Sequence, residues 1–181
     1  MKNNKGLTLI EMLVSIALFG IISTLLVNTF VVSIKTQERV LANQELVEQS
    51  TYALDYMATK IRMAIKDELG DCNGLPSNYS IGENSLRFIS YNPISNEYIC
   101  REFLLENNII KERVSLDESR ALLGNAIPIT SSAFNVSNLK FATIGDDGVN
   151  QPRVTILIKM SKSTSAELTV QTTVSKRQLD I

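Results

Sequence analysis

Apolar and polar positions alternate along this chain with three different textures. From Leu7 to Ile34 (LTLIEMLVSIALFGIISTLLVNTFVVSI) the chain is almost wholly apolar: Glu11 is the only ionisable side chain in 28 residues, and the 23 residues Met12–Ile34 contain neither charge nor Pro. At about 1.5 Å per residue that run makes a helix of roughly 35 Å, long enough to cross a hydrocarbon core of ~30 Å. From Lys35 to Glu68 helix-forming residues continue without a Pro, and Val40, Val47, Leu54 and Ile61 recur every seven residues, with Met57 and Ala64 on the adjacent line. One helix is therefore expected from Leu7 to Glu68, its second half packing on a domain along Leu54, Met57, Ile61 and Ile65. Asn43 and Ser50 interrupt the seam, which favours this packing over a free coiled coil.

Beyond Gly70 the period becomes two. Asn84–Tyr91, Glu97–Leu105 and Ile109–Val114 read as three strands of an antiparallel meander, with turns at Asn92-Pro93, Ser95-Asn96 and Glu106-Asn107-Asn108. Ala126–Ile129 and Asn138–Thr143 are weaker strands. Arg153–Met160 and Glu167–Val174 form the clearest pair, joined by Ser161–Ser165. The expected fold is α+β, one long helix lying on an antiparallel β-sheet.

Composition narrows the function. The 181 residues hold no His, which excludes Ser-His-Asp and Cys-His nucleophile pairs and His-ligated zinc. Paired carboxylates such as Asp117-Glu118 are adjacent in a polar loop, a geometry that does not converge on one reacting atom. A structural or interaction protein is expected rather than an enzyme, with no cofactor. The net charge is −1, and from Glu83 to the end there are 11 basic and 11 acidic residues, without a basic run interleaved with aromatics. Nucleic acid is therefore not an expected partner, although a small local patch remains compatible with these numbers.

The apolar run has three readings. A secretory signal peptide would be shorter and would end in a small-residue cleavage site, which is missing here. A plain membrane anchor leaves Glu11 unexplained, since a carboxylate at the bilayer centre costs on the order of 2.5–3.5 kcal/mol. The third reading is carried by Lys5-Gly6-Leu7-Thr8-Leu9-Ile10-Glu11, which strongly resembles the signal of type IV prepilins and type II secretion pseudopilins. The resemblance implies that a membrane prepilin peptidase cuts between Gly6 and Leu7, that Leu7 becomes an N-methylated N-terminus, and that Glu11 pairs with the terminal amine of a neighbouring subunit during assembly. Leu7 departs from the usual Phe, a conservative change. Gly20 is then a place where the helix could loosen within a filament, or simply one of close helix packing.

The rest of the chain is similar, less specifically, to J-type pseudopilins and W-type minor pilins. The similarity lies in Tyr52–Ala64, Ser85-Leu86-Arg87-Phe88, Pro152-Arg153-Val154 and a Thr- and Val-rich last strand ending Ser175-Lys176-Arg177. The implied organisation is a leader at 1–6, a transmembrane and assembly half-helix at 7–34, an amphipathic half-helix at 35–68 and a globular β domain at 69–181. Lys2 and Lys5 place the N-terminus inside the cytoplasmic membrane and the domain outside. The implied partners are the peptidase, other pilins or pseudopilins and an inner-membrane assembly platform. The implied function is that of a minor pilin or pseudopilin that joins or primes a filament; the alternative is a tip adhesin or DNA receptor mounted on one.

Outside the membrane, an oxidising compartment allows Cys72 and Cys100 to form a disulfide across 27 intervening residues, worth about 3 kcal/mol; inside, both would stay free. Asp146, Asp147 and Asn150 in Gly145–Asn150 form a weak calcium candidate, because Asp-Gly is also ordinary turn chemistry. Asp67, Glu68 and Asp71 are expected to be solvated at the end of the helix, where acids are unfavourable.

Overall fold

The computed structural model describes residues 8–93, 95–116, 122–145, 150–162 and 166–177. The chain divides into two compact units, Met1–Leu41 and Ala42–Ile181, and one helix, α1 (Leu9–Arg62), contributes to both.

In the first unit α1 is apolar and uncovered: Phe19 and Phe30 are 73% and 67% exposed, the reverse of a soluble core helix. It is long and apolar enough to cross a membrane. Ser15, Thr24, Thr29 and Thr36 each donate their hydroxyl to a carbonyl one turn earlier, at 2.7–2.9 Å. Those polar groups therefore need no water, as a lipid environment requires. The helix passes Gly20 without interruption.

The second unit packs the end of α1 on two antiparallel sheets. The first contains β1 (Ala64–Ile65), β2 (Ser80–Ile81), β3 (Ser85–Asn92), β4 (Glu97–Glu106), β5 (Ile109–Val114) and β6 (Ile127–Pro128), in the order β1-β3-β4-β5-β6 with β2 also on β3. The second is β7 (Asn135–Ile144), β8 (Arg153–Lys162) and β9 (Ala166–Ser175). Asn107 and Asn108, at φ 54° and 62°, make the tight turn between β4 and β5, a conformation Asn tolerates and paired strands favour. Leu46, Ala53, Met57 and Ile61 of α1 meet Leu86, Phe88, Phe103 and Ile110 of the first sheet and Val154, Ile156, Ile158 and Met160 of the second in one core.

The strands match the period-two reading closely, and four expectations are corrected. The single expected sheet is two. Met57 and Ile61 of α1 are buried as expected and Leu54 packs against the core, but the line runs back through Ala53, Ser50 and Leu46 instead of on to Ile65, with Val40 and Val47 about half exposed. The small side chains at positions 50, 53 and 58 share that face with the large ones of Leu46, Met57 and Ile61, so the packed line is not a line of apolar bulk alone. The helix stops at Arg62 rather than Glu68, because Ala64 and Ile65 pair with Ser90 and Ile89 of β3. Its last carbonyls are taken by tertiary partners: Arg62 O accepts from Arg177 N at 2.9 Å and Ile61 O from Tyr79 OH at 3.2 Å. Ile65 consequently leaves the helix stripe and packs against Cys72, Ile89 and Cys100.

The fourth correction concerns Asp67, which is buried, not solvated. Its carboxylate accepts the backbone N–H groups of Gly70, Cys72 and Asn73 at 2.8–2.9 Å. Three charge-assisted bonds hold the turn that carries Cys72. Glu68 and Asp71 are exposed as expected.

Candidate functional site

Gly6 and Leu7 lie outside the described residues, which begin at Thr8, just before α1. There Thr8 and Glu11 make a reciprocal cap. The Thr8 amide and hydroxyl donate to Glu11 Oε2 at 2.9 and 2.8 Å, and the Glu11 amide donates to Thr8 Oγ1 at 3.4 Å. This is a Thr-x-x-Glu capping box, which satisfies amides that the first helical turn would otherwise leave unpaired. It also aims the Glu11 carboxylate at the N-terminal end of the helix, three residues from Thr8. A carboxylate held there is placed to accept hydrogen bonds from a cationic donor arriving at the helix start.

Cys72 and Cys100 are joined in a disulfide, with a Cα–Cα distance of 5.4 Å. Both are buried, with Ile65, Ile89 and Leu123 around them. The bond ties the turn after β1 to β4. Of the calcium candidates, Asp146 and Asp147 lie outside the described residues, and Asn150 is exposed. Asp117 and Glu118 lie outside them too. Among the described residues no three of His, Cys, Asp and Glu come together as a metal site.

One polar cluster went unread in the sequence. Arg101 on β4 and Glu112 on β5 form a buried ion pair; Arg101 Nε donates to Ser90 Oγ at 3.1 Å, and Tyr56 of α1 donates its hydroxyl to Glu112 Oε2 at 2.8 Å. The Tyr56 phenol is pushed up to about 12, first by burial and then by its bond to the Glu112 carboxylate. The folded state thus favours the neutral phenol. Stability from this group is full below the ordinary phenol pKa of 10.0 and is lost as pH rises from there through about 12. In a spectroscopic titration of the full chain in detergent, one of the five tyrosines should ionise near pH 12. Tyr56→Phe should remove that late step and flatten the loss of stability over the same window.

Compared with known proteins, residues 1–27 match the prokaryotic N-terminal methylation motif. No curated protein and no solved structure matches the chain. At its N-terminus, therefore, the protein carries the methylation motif of prokaryotic type IV prepilin-like proteins, set on an apolar helix that continues into an α+β, pilin-like architecture.

Proposed function

We propose that the chain is a minor type IV pilin or pseudopilin, a non-enzymatic subunit that joins or primes a pilus or pseudopilus filament. The observation that carries this reading is the methylation motif opening directly into an uncovered apolar helix. A prepilin peptidase cuts after Gly6 and the new N-terminus at Leu7 is methylated. The helix up to Ile34 holds the subunit in the cytoplasmic membrane, with the domain outside. There it meets an assembly platform and the other pilins. The resemblance of the stretches from Tyr52 onward to J-type pseudopilins and W-type minor pilins supports a minor subunit, one that joins the filament or primes it.

In this reading the apolar helix exchanges lipid for a bundle of neighbouring helices, one dry environment for another. Glu11 leaves its own cap to meet a neighbour's amine, an attraction strongest where water is excluded. Mass spectrometry of the membrane-extracted protein should find an N-terminal peptide that begins at Leu7 and carries one added methyl group. A peptide that begins at Met1 in cells with an active peptidase would reduce the protein to a simple anchor. Glu11→Ala should leave insertion and cleavage intact while incorporation into filaments falls about tenfold or more, the result of a buried amine losing its partner. Unchanged incorporation would remove Glu11 from the assembly step.

A further inference from the structure

An outer strand of a sheet leaves a row of main-chain N–H and C=O groups free to pair with another chain. In the first sheet the outer sides of the long strands are occupied. β1 and β2 lie one after the other along β3. β6, with its Pro128, lies along β5; Ile129 and Thr130 donate their amides to Ile110 O at 2.8 and 3.3 Å, and Gly124 donates to Val114 O at 2.8 Å. In the second sheet β7 and β9 are the outer strands. β7 carries a bulge between Val136 and Asn138, lies against β3, β4 and β5, donates its Val136 amide to Asn108 O at 2.9 Å, and bears the exposed Lys140. Bulge, cover and lysine are devices that keep an edge from pairing.

β9 has none of these. It pairs with β8 residue for residue over Ala166–Ser175 without a bulge, and the eight residues Leu168–Ser175 contain no charge, Pro or Gly. Among the described residues, no strand or loop is hydrogen-bonded through its main chain to the other side of β9. The end of the strand is held: the Lys176 amide donates to Pro152 O at 2.9 Å, and Gln151 Nε2 donates to Lys176 O at 2.6 Å. Thr169, Gln171 and Thr173 are exposed on one face. On the other, Leu168 and Val170 pack against the core and are only partly buried, so the apolar layer reaches the edge without being closed there.

A helix has no free main-chain groups along its flank, so the row on β9 is matched by another extended chain. We propose that β9 is an assembly edge, to which an extended strand of a different subunit adds, its apolar side chains beside Leu168 and Val170 and its polar ones beside Thr169 and Gln171. That the strand comes from a fellow subunit rests on the reading of the chain as a pilin. A second copy does not fit. Pairing β9 antiparallel with itself relates two chains by a two-fold axis normal to the sheet, which reverses the helix lying on it, whereas chains anchored by the same end of α1 point the same way. Pairing it parallel with itself turns the core face of one copy to the solvent side of the other.

The test is hydrogen exchange, read by mass spectrometry, on the full chain free in detergent micelles and in the subunit assemblies extracted from the cells that make it. In the free chain the outward amides of β9 should exchange fast while those of β8 stay protected; in the assembly the β9 amides should slow about tenfold or more. Assembly itself is read from co-sedimentation and from a methylated Leu7. Two lysine variants separate edge pairing from contact through a face. Val170→Lys sets a charge on the inward side, where an added strand would bury it, and incorporation should fall about tenfold or more. Gln171→Lys, one residue along on the polar side, should incorporate as wild type does. A processed, assembled chain whose β9 exchanges as in the free chain overturns the proposal and leaves the pilin reading intact. Equal loss in both lysine variants, with β8 still protected, overturns it in favour of a contact through the exposed face. Slowed β9 exchange in assemblies that hold this chain alone overturns it in favour of a second copy. A chain that is neither processed nor assembled fails the pilin reading and takes the proposed partner with it. The exchange comparison decides the matter even if Val170→Lys fails to fold.

Discussion

Glu112→Ala is expected to lower the unfolding free energy of the protein by about 3–5 kcal/mol, among the largest losses a single side chain here can produce. Arg101 and Glu112 are 4% and 9% exposed, so the truncation would leave a guanidinium in the core with no counter-charge. It would also strand the Tyr56 hydroxyl, which donates to the same carboxylate. Water cannot easily replace the lost partners beneath α1, and a buried polar group without one costs on the order of 1–3 kcal/mol by itself. Replacing both charges, as Arg101→Met/Glu112→Leu, should return most of the loss, because no uncompensated charge remains. Chemical unfolding of the full chain in detergent, followed by circular dichroism, measures both variants. A single variant no less stable than the double would show that the pair contributes nothing through its charge.

The second large effect is expected at the disulfide. Cys72→Ala/Cys100→Ala should cost about 3 kcal/mol through the freed loop alone, or about 10 °C in melting temperature for a domain of this size. The two sulfurs are buried against Ile89 and Ile65, so lost packing adds to that figure. Burial also means that a reductant should leave the folded protein oxidised and act only once unfolding exposes the bond. Thiol labelling of native protein in the presence of dithiothreitol checks this. Rapid labelling without unfolding would contradict the buried placement.

The strands were legible because their alternation has a visible cause. Val154, Ile156, Ile158 and Met160 all face the core, and the residues between them do not. Strands of two residues carry little such signal: β1 and β2 left no trace in the pattern, and β6 showed only as the weaker Ala126–Ile129. Alternation tells which side of a strand is buried and is silent on which strands pair, which is why two sheets read as one. The helix end was hidden for a different reason. Nothing between Arg62 and Glu68 disfavours a helix locally; pairing with β3 and the bond from Arg177 outweigh propensity there. Asp67 was misread because charge alone suggests solvent, whereas three amides of a turn replace it. At the N-terminus the opposite held: Lys5 to Glu11 is one contiguous stretch, so the motif was readable without a fold, although the equally local cap between Thr8 and Glu11 went unread.

The arrangement of the two sheets has a consequence for the order in which the protein is made. Every strand of the first sheet, and both cysteines, precede Asn135 in the chain, while the second sheet is built wholly from Asn135 onward. The meander of β3, β4 and β5 joins sequence neighbours, the kind of pairing that closes early because little chain must be gathered. As synthesis proceeds from the N-terminus, that meander and its disulfide can be complete while β7, β8 and β9 are still emerging. The inward side chains of α1 then remain half covered until Val154–Met160 arrive, so the last quarter of the chain closes a core that the first three quarters have already laid out.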